Sequence, residues 1–476
     1  MSSRPKFEPQ NNYEAITNEP LVSLDDSNWT SVLYAFADFP KEVFLTAALD
    51  LIQHPEYNST LILRSEELSD LDHDLPTTIP KIQNHTPVRC IHRRLLPRRP
   101  GRDDPLEQLC TLYAPHDDDT PTLLVLTPLG TPLPYYHPAV AHIAFRWINT
   151  VPKRTLHVDT IPLPGTPLDT NSRLYRTSLA LLDTVHRYMW GAMTNYKKRV
   201  HHDVLIPREL YQDRYIQMRE KYKHLVNDWQ EATDPLKHVF EDIGIATYLI
   251  LLWESTYQDK PPAGFLDFGC GNGLLTHILI SEGFEGEGID LRARTSWSHY
   301  PPSTQAHLHV HAFDPFPSTP DPFLKPGIFL IGNHADELTP WVPLLATHHD
   351  ACGFLNLPCC PWTFDAKFDR TSTKLYPLPD GMDKIAFSES LALGGHSSPS
   401  SGYSMYRVWL ASLTQHCGWR VESEMMRIPS TRNWALVGRE RVADPSATAN
   451  VEDILRMVRE RGIFKSRTPE GKAGEQ

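Results

Sequence analysis

Cysteine is scarce in this chain of 476 residues: there are seven, at positions 90, 110, 270, 352, 359, 360 and 417, an odd number without a repeated spacing. That argues against the disulfide framework of a small secreted domain and fits a reducing compartment. Long apolar runs are missing as well. No stretch approaches the roughly eighteen residues that a membrane-spanning helix needs, and the opening Met-Ser-Ser-Arg-Pro-Lys leads into polar residues rather than an apolar signal core. The expectation is a protein without a membrane segment, cytoplasmic or nuclear. Basic charge is not in excess either: 46 Lys and Arg against 58 Asp and Glu give a formal net charge of −12. A chain of that sign repels phosphate at long range, so contact with nucleic acid has to come from local patches. Glycine is sparse, 24 residues against 42 prolines, which predicts stiff, loop-rich connections.

What is present suffices for two or three structural units with buried cores. Residues 1–30 are polar and are expected to be flexible. Residues 31–185 read as a mixed α/β, loop-rich domain in which Leu61–Arg64 and Leu123–Leu126 form short buried strands. Between them Arg89, Arg93, Arg94, Arg98, Arg99 and Arg102 crowd a stretch followed by Asp103-Asp104 and Asp117-Asp118-Asp119. It is either a solvated loop of mixed charge or a patch for RNA phosphate. A Pro-rich segment from Pro152 to Pro167 precedes a helical pattern at Leu174, Leu179, Leu181, Leu182 and Val185, and a charged helix is expected from Tyr211 to Trp229.

Residues 186–440 carry the main domain. Thr233-Asp234-Pro235 is a helix start, because Thr or Asp caps free backbone N–H groups and Pro235 already has a helical φ. Leu236, Val239, Phe240, Ile243 and Thr247 then share one face. From residue 264 short apolar runs alternate with helical spacing: 265–268, 286–289, 308–313, 328–331 and 351–357. Five strands with intervening helices imply an α/β fold with a mainly parallel sheet covered on both faces. A helix at 409–415 and a late edge strand at 434–438 complete it. Residues 441–476 read as a charged C-terminal helix, 452–467, and a tail; the helix is either solvated or offers its basic end to phosphate.

The chemistry centres on strand Phe265–Phe268, which runs into Gly269-Cys270-Gly271-Asn272-Gly273. Glycines permit a tight turn and let backbone approach a ligand. Their alternation departs from the dinucleotide fingerprint, and no Gly-Lys-Ser/Thr follows, so the ligand need not carry phosphate. Asp267 precedes the turn within the strand, and Asp290 ends the next strand where a carboxylate accepts hydrogen bonds from a ribose diol. Asp314 closes the third strand, placed either to approach an adenine amino group or simply to cap the strand end. Asn333, His334, Asp336 and Glu337 follow the fourth strand and form the candidate substrate loop, with His334 or Asp336 as base or orienter.

This arrangement resembles the class I S-adenosylmethionine methyltransferases, Rossmann-like in fold, which implies S-adenosylmethionine at Asp267, Gly269, Cys270, Gly271, Asn272, Gly273, Asp290 and Asp314, and no metal. The words around the motif are more particular. Phe265-Leu-Asp-Phe-Gly-Cys-Gly-Asn-Gly-Leu-Leu, Gly288-Ile-Asp-Leu-Arg-Ala-Arg-Thr-Ser-Trp297, Tyr196-Lys-Lys-Arg-Val-His-His-Asp203, Leu330-Ile-Gly-Asn-His-Ala-Asp-Glu-Leu-Thr-Pro-Trp341 and Leu357-Pro-Cys-Cys360 are similar to blocks of the eukaryotic tRNA (uracil-2′-O-)-methyltransferase family acting on uridine 44 of serine tRNA. The resemblance implies methylation of a uridine 2′-hydroxyl of tRNA in the cytoplasm, with an accessory protein left open. Asn333, His334 and Asp336 become the catalytic candidates. Tyr196, Lys197, Lys198, Arg199 and Lys237 become the RNA-binding candidates, against the simpler reading of three solvated basic residues. Methylation of another RNA nucleotide or of a protein, and a non-catalytic scaffold, are the alternatives.

Overall fold

Charged side chains do not keep a segment out of a sheet when the neighbouring strand supplies the opposite sign. The computed structural model shows this in the arginine-rich stretch; it describes residues 4–12, 21–24, 28–149, 153–196, 202–364, 366–379, 381–391, 393, 401–442, 445–462 and 464. The chain divides into two units, Met1–Lys197 and Lys198–Gln476.

The first unit contains β1 (Pro9–Asn11), β2 (Thr30–Phe36), α1 (Glu42–Gln53), β3 (Ile62–Leu71), β4 (His85–Pro97), β5 (Leu106–Pro115), β6 (Leu123–Leu129), β7 (Val140–Asn149), β8 (Arg154–Pro162) and α2 (Arg173–Met193). The strands form one antiparallel sheet in the order β1-β2-β8-β7-β6-β5-β4-β3. Phe44, Leu51, Leu182 and Met189 of the helices share a core with Leu112, Leu124, Phe145 and Val158 of the sheet. The unit is thus a regular sheet with two packed helices, which corrects the loop-rich expectation. Arg89, Arg93 and Arg94 lie within β4, not in a loop. Arg89 donates to Asp70 at 2.8 Å, Arg94 to Glu107 at 2.7 Å, and buried Arg93 to Gln108 at 3.0 Å, so these guanidinium groups are engaged within the sheet rather than offered to phosphate. Residues 4–12 do not fray: β1 pairs with β2, and Arg4 forms an ion pair with Asp183.

The second unit opens with α3 (Arg208–Tyr222) and α4 (Pro235–Tyr257). The Asp234 side chain accepts from the Leu236 amide at 3.0 Å and Pro235 occupies the first turn, as the sequence indicates, although Leu236 itself is exposed. Then follow β9 (Phe265–Phe268), α5 (Leu274–Ser281), β10 (Gly286–Asp290), α6 (Pro302–Gln305), β11 (Leu308–Val310), β12 (Phe329–Asn333), α7 (Trp341–His348), β13 (Gly353–Leu357), α8 (Lys384–Ser390), α9 (Gly402–His416), β14 (Glu422–Met425), β15 (Trp434–Gly438) and α10 (Ala447–Arg461). The sheet order is β11-β10-β9-β12-β13-β15-β14, parallel from β11 through β13 and antiparallel at β15 and β14.

Both faces are covered, and the strands alternate to serve them. Phe265, Ile331 and Leu355 pack with Leu249 and Trp253 of α4 and Ile278 of α5. Leu266, Phe268 and Leu330 pack with Trp341 and Leu345 of α7 and Leu410 of α9. Three expectations are corrected. β15 is not an edge, since β14 pairs outside it; the polar run Glu-Ser-Glu-Met gave that strand no apolar signature. β11 ends at Val310, so Asp314 lies beyond the strand instead of closing it. α10 ends at Arg461 before a left-handed Gly462, and it is not a solvated helix, because Val451, Ile454 and Val458 enter the core. Residues 465–476 lie outside the described residues. Among the described residues no helix is long and apolar enough to cross a membrane.

Candidate active site

Parallel strands all deliver their carboxyl ends to one edge, and a crevice opens where neighbouring crossovers leave in opposite directions. Here that point is between β9 and β12. A cavity of about 780 Å³ lies there, lined by Gly269, Gly271, Asp290, Phe313, His334 and Asp336 among others, a volume in the range of small-molecule sites.

The glycine turn is built to stay open. Gly271 has φ +55°, and a Cβ placed on it would meet nothing within 4 Å, so the space in front of this backbone is unfilled by protein. Its amide donates to Asp290 Oδ2 at 2.9 Å, which ties the ends of β9 and β10 together. Two aromatic side chains hold the turn from behind: Trp297 Nε1 donates to the Gly271 carbonyl at 3.0 Å, and the Tyr300 hydroxyl donates to that of Asn272 at 3.1 Å. The Asn272 side chain accepts from the Leu274 amide at the start of α5 at 2.9 Å. The Cys270 side chain is buried with Trp297 and Leu308, away from the cavity, and Gly273 is not among its lining residues.

Beneath the turn lies an accumulation of carboxyl groups. Asp267 is 1% exposed and accepts from the Thr276 hydroxyl at 2.8 Å. Burial pushes its carboxyl up to about 7; the Thr276 bond opposes this and the Asp290 charge reinforces it. Burial also raises Asp242 of α4 well above the carboxylate range, helped by the charges of Glu241 and Asp267 and opposed by a hydrogen bond with Asn333. Asn333 keeps its Oδ1 buried with no hydrogen-bond partner among the described residues. Crowded acids and an orphaned acceptor together suit a cationic ligand with N–H donors.

The loop after β12 departs from ordinary backbone geometry, with His334 at φ +52° and Asp336 at φ +45°. The His334 amide donates to the Leu357 carbonyl at 3.2 Å, and its ring Nε2 lies 3.1 Å from Glu241 Oε1. Asp336 Oδ1 accepts from the Cys359 thiol at 3.2 Å. Asp336, Cys359 and Cys360 bring their ligand atoms within 4.8 Å of one another. Burial, aided by Asp336, pushes both thiols up, so they hold the protons that metal binding would have to remove.

The structure brings Gly269, Gly271, Asp290, His334 and Asp336 to one cavity, whereas Asp267 of β9 and Asn333 of β12 precede lining residues without lining it themselves. It leaves Asp314 outside the lining, where its Oδ1 accepts from the Phe316 amide at 2.9 Å. Tyr196 is exposed at the end of the first unit, and Lys237 is exposed on α4. Lys197, Lys198 and Arg199 lie outside the described residues. Reading the sequence missed Glu241 and Asp242; their signal is a pair of acids within a helix that is otherwise apolar from Ile243 to Trp253. It also missed the aromatic wall, in which Phe313 meets Phe268 at 5.1 Å and Trp341 at 5.4 Å, and Phe464 meets Trp341 at 5.4 Å.

Comparison with known proteins bears on both units. Residues 8–199 match the family model described as TRM44-like, N-terminal bet v1-like domain, and residues 205–315 match a predicted AdoMet-dependent methyltransferase. A tRNA (uracil-O(2)-)-methyltransferase of Schizosaccharomyces pombe is 35% identical, over 91% of this chain and 90% of that one. This chain belongs to the tRNA (uracil-O(2)-)-methyltransferase family. Members so named in Neurospora crassa, 34% identical over 93% of each chain, and in Saccharomyces cerevisiae, 30% identical over 84% of this chain and 85% of that one, agree along nearly the whole length. Like its family, the chain is an S-adenosylmethionine-dependent methyltransferase, and the open backbone, neighbouring acids and aromatic side chains at the cavity between β9 and β12 suit a ligand with cationic and aromatic groups.

Proposed function

We propose that this chain transfers a methyl group from S-adenosylmethionine to the 2′-hydroxyl of a uridine in tRNA, at position 44 of serine tRNA, in the cytoplasm. The second unit acts as a class I, Rossmann-like catalytic domain. Asp290 and the Gly269–Gly271 backbone hold the ribose and methionine parts of the cofactor, Asn333 Oδ1 and Asp267 take its ammonium group, and Phe313 bounds its adenine. When bound, the cofactor supplies a methyl group already activated on a sulfonium.

What remains for the protein is alignment and proton removal, since a ribose hydroxyl is a poor nucleophile until its proton is leaving. His334 is the group placed to accept that proton. The observation that carries this reading is that its ring lines the cavity beside the glycine turn while one nitrogen is already engaged by Glu241. The relatives' names support a uridine of tRNA as the acceptor. Tyr196, Lys197, Lys198, Arg199 and Lys237 supply the local positive surface for tRNA that the net charge withholds, with Tyr196 free to stack on a base.

The deciding experiment is methyl transfer from labelled S-adenosylmethionine to total tRNA from cells lacking this protein, with the product nucleoside identified by mass spectrometry. The expected product is 2′-O-methyluridine in serine tRNA. Its formation in a different tRNA would overturn the assigned position, and a methylated base would overturn the chemistry.

A further inference from the structure

Resting on His334 as proton acceptor, a second question is what keeps the correct nitrogen of its ring available. Glu241 lies 93 positions earlier on α4, yet its Oε1 is 3.1 Å from His334 Nε2. The Glu241 side chain is 6% exposed, whereas that of His334 is 31% exposed and lines the cavity. Burial pushes the Glu241 carboxyl up, but hydrogen bonds from His334 and Ser430 and the charges of His334 and Lys237 outweigh it, and the group stays below the usual range. It is therefore an anionic acceptor, and a ring nitrogen facing it carries hydrogen. In a neutral imidazole the other nitrogen, Nδ1, then holds a lone pair. Nδ1 has no protein partner among the described residues. The neighbouring Asn333 is bound by Asp242, so consecutive acids of α4 engage the last residue of β12 and the first residue of the loop after it.

We propose that Glu241 is a positioning residue that fixes His334 in the tautomer with Nε2–H and leaves Nδ1 to take the proton of the substrate hydroxyl. As the new O–C bond forms and the S–C bond of the donor breaks, the S–C electron pair remains on sulfur. The hydroxyl proton passes to Nδ1, and the resulting imidazolium lies against the Glu241 carboxylate until the proton is released to solvent. Asp336, whose Oδ1 accepts from the Cys359 thiol, is not assigned the proton in this scheme.

The test uses the full chain, labelled with ¹⁵N-histidine and free of cofactor, with the His334 resonances assigned by their loss in His334→Gln. Two-bond ¹⁵N–¹H correlation is expected to show protonated Nε2 and bare Nδ1. Glu241→Gln keeps an acceptor without the charge and should preserve the tautomer while lowering kcat about 10-fold. Glu241→Met removes both, so the ring should populate both tautomers and kcat should fall about 100-fold, with KM for S-adenosylmethionine and tRNA within about twofold of the parent. A bare Nε2 in the parent protein overturns the proposal. So does a Glu241→Met protein with unchanged kcat or a loss confined to KM; if that variant does not fold, the parent tautomer and the Glu241→Gln rate decide. Failure of the underlying reading looks different: His334→Gln would then form product at the parent rate whatever the tautomer.

Discussion

Two regions of this molecule are dense in charge, and they treat it in opposite ways. In the first unit, carboxylates on β3 and β5 meet guanidinium groups of β4 across the sheet, as in Arg89 with Asp70 and Arg94 with Glu107. Around the ends of β9, β10 and β12 in the second unit, Asp242, Asp267 and Asp290 crowd one another, and Arg294 comes no closer than 4.0 Å to Asp290. Paired charge of the first kind is neutral scaffolding. Carboxyl groups that are buried, with only other acids to reinforce the effect, are held protonated at a cost that a cation beside them would relieve, which makes the second region the candidate site.

The sharpest way to break this comparison is at the proton acceptor. His334→Gln should lower the rate of methyl transfer about 100- to 10,000-fold with cofactor affinity retained, measured by labelled methyl incorporation and by calorimetry. Next in size is Asp290→Ala, which removes both the proposed ribose acceptor and the partner of the Gly271 amide; the cost in S-adenosylmethionine binding should be about 2 kcal/mol by calorimetry. Unchanged affinity would remove Asp290 from the cofactor site.

The acid cluster also sets a pH dependence. Asp267 sits near 7 in the folded chain, well above an unfolded aspartate, so its contribution to stability is complete below the unfolded value of about 4 and is lost as pH rises through 7. Asp242 moves in the same direction. The cofactor-free protein should therefore lose stability to urea between about pH 4 and 7, and Asp267→Asn should flatten that slope. Cofactor affinity should run the other way, increasing through pH 7 as the carboxylate forms, with proton release seen as a buffer-dependent binding enthalpy.

Reversing charge at Lys197, Lys198 and Arg199 should weaken tRNA binding and flatten its salt dependence; an unaltered slope would dismiss that patch. The smallest effect belongs to the first unit. Arg89→Ala breaks a partly exposed pair and should cost under about 1 kcal/mol, with methyl transfer unaffected. A larger loss would mean that the charge on β4 does more than balance its neighbours.

The site was legible in the sequence where its chemistry is local. The glycine turn, Asp290 and the Asn333–His334 loop announce themselves through spacing after apolar strands. Glu241 does not, because nothing in a helix reveals which loop 93 residues later will lie against it. Trp297 and Tyr300 act on backbone carbonyls, a role that any donor of suitable reach would fill, so their identity carries little signal. The antiparallel sheet of the first unit was obscured by its cross-strand pairs, since the arginines of β4 resemble a loop until the acids of β3 and β5 are set beside them. β14 was hidden by being short and polar, and Asp314 was misplaced because the apolar run continues past the last paired residue of β11.

The left-handed backbone at His334 restricts that position before any chemistry is selected. A β-branched side chain there collides with its own carbonyl, whereas Gly, Asn, Asp and His are accommodated. A saturation library at 334 sorted only for folded protein should already be depleted of Val, Ile and Thr. The replacements that survive folding would thus be few, and those able to accept a proton at that spot fewer still, which narrows the mutational neighbourhood through which the activity could drift.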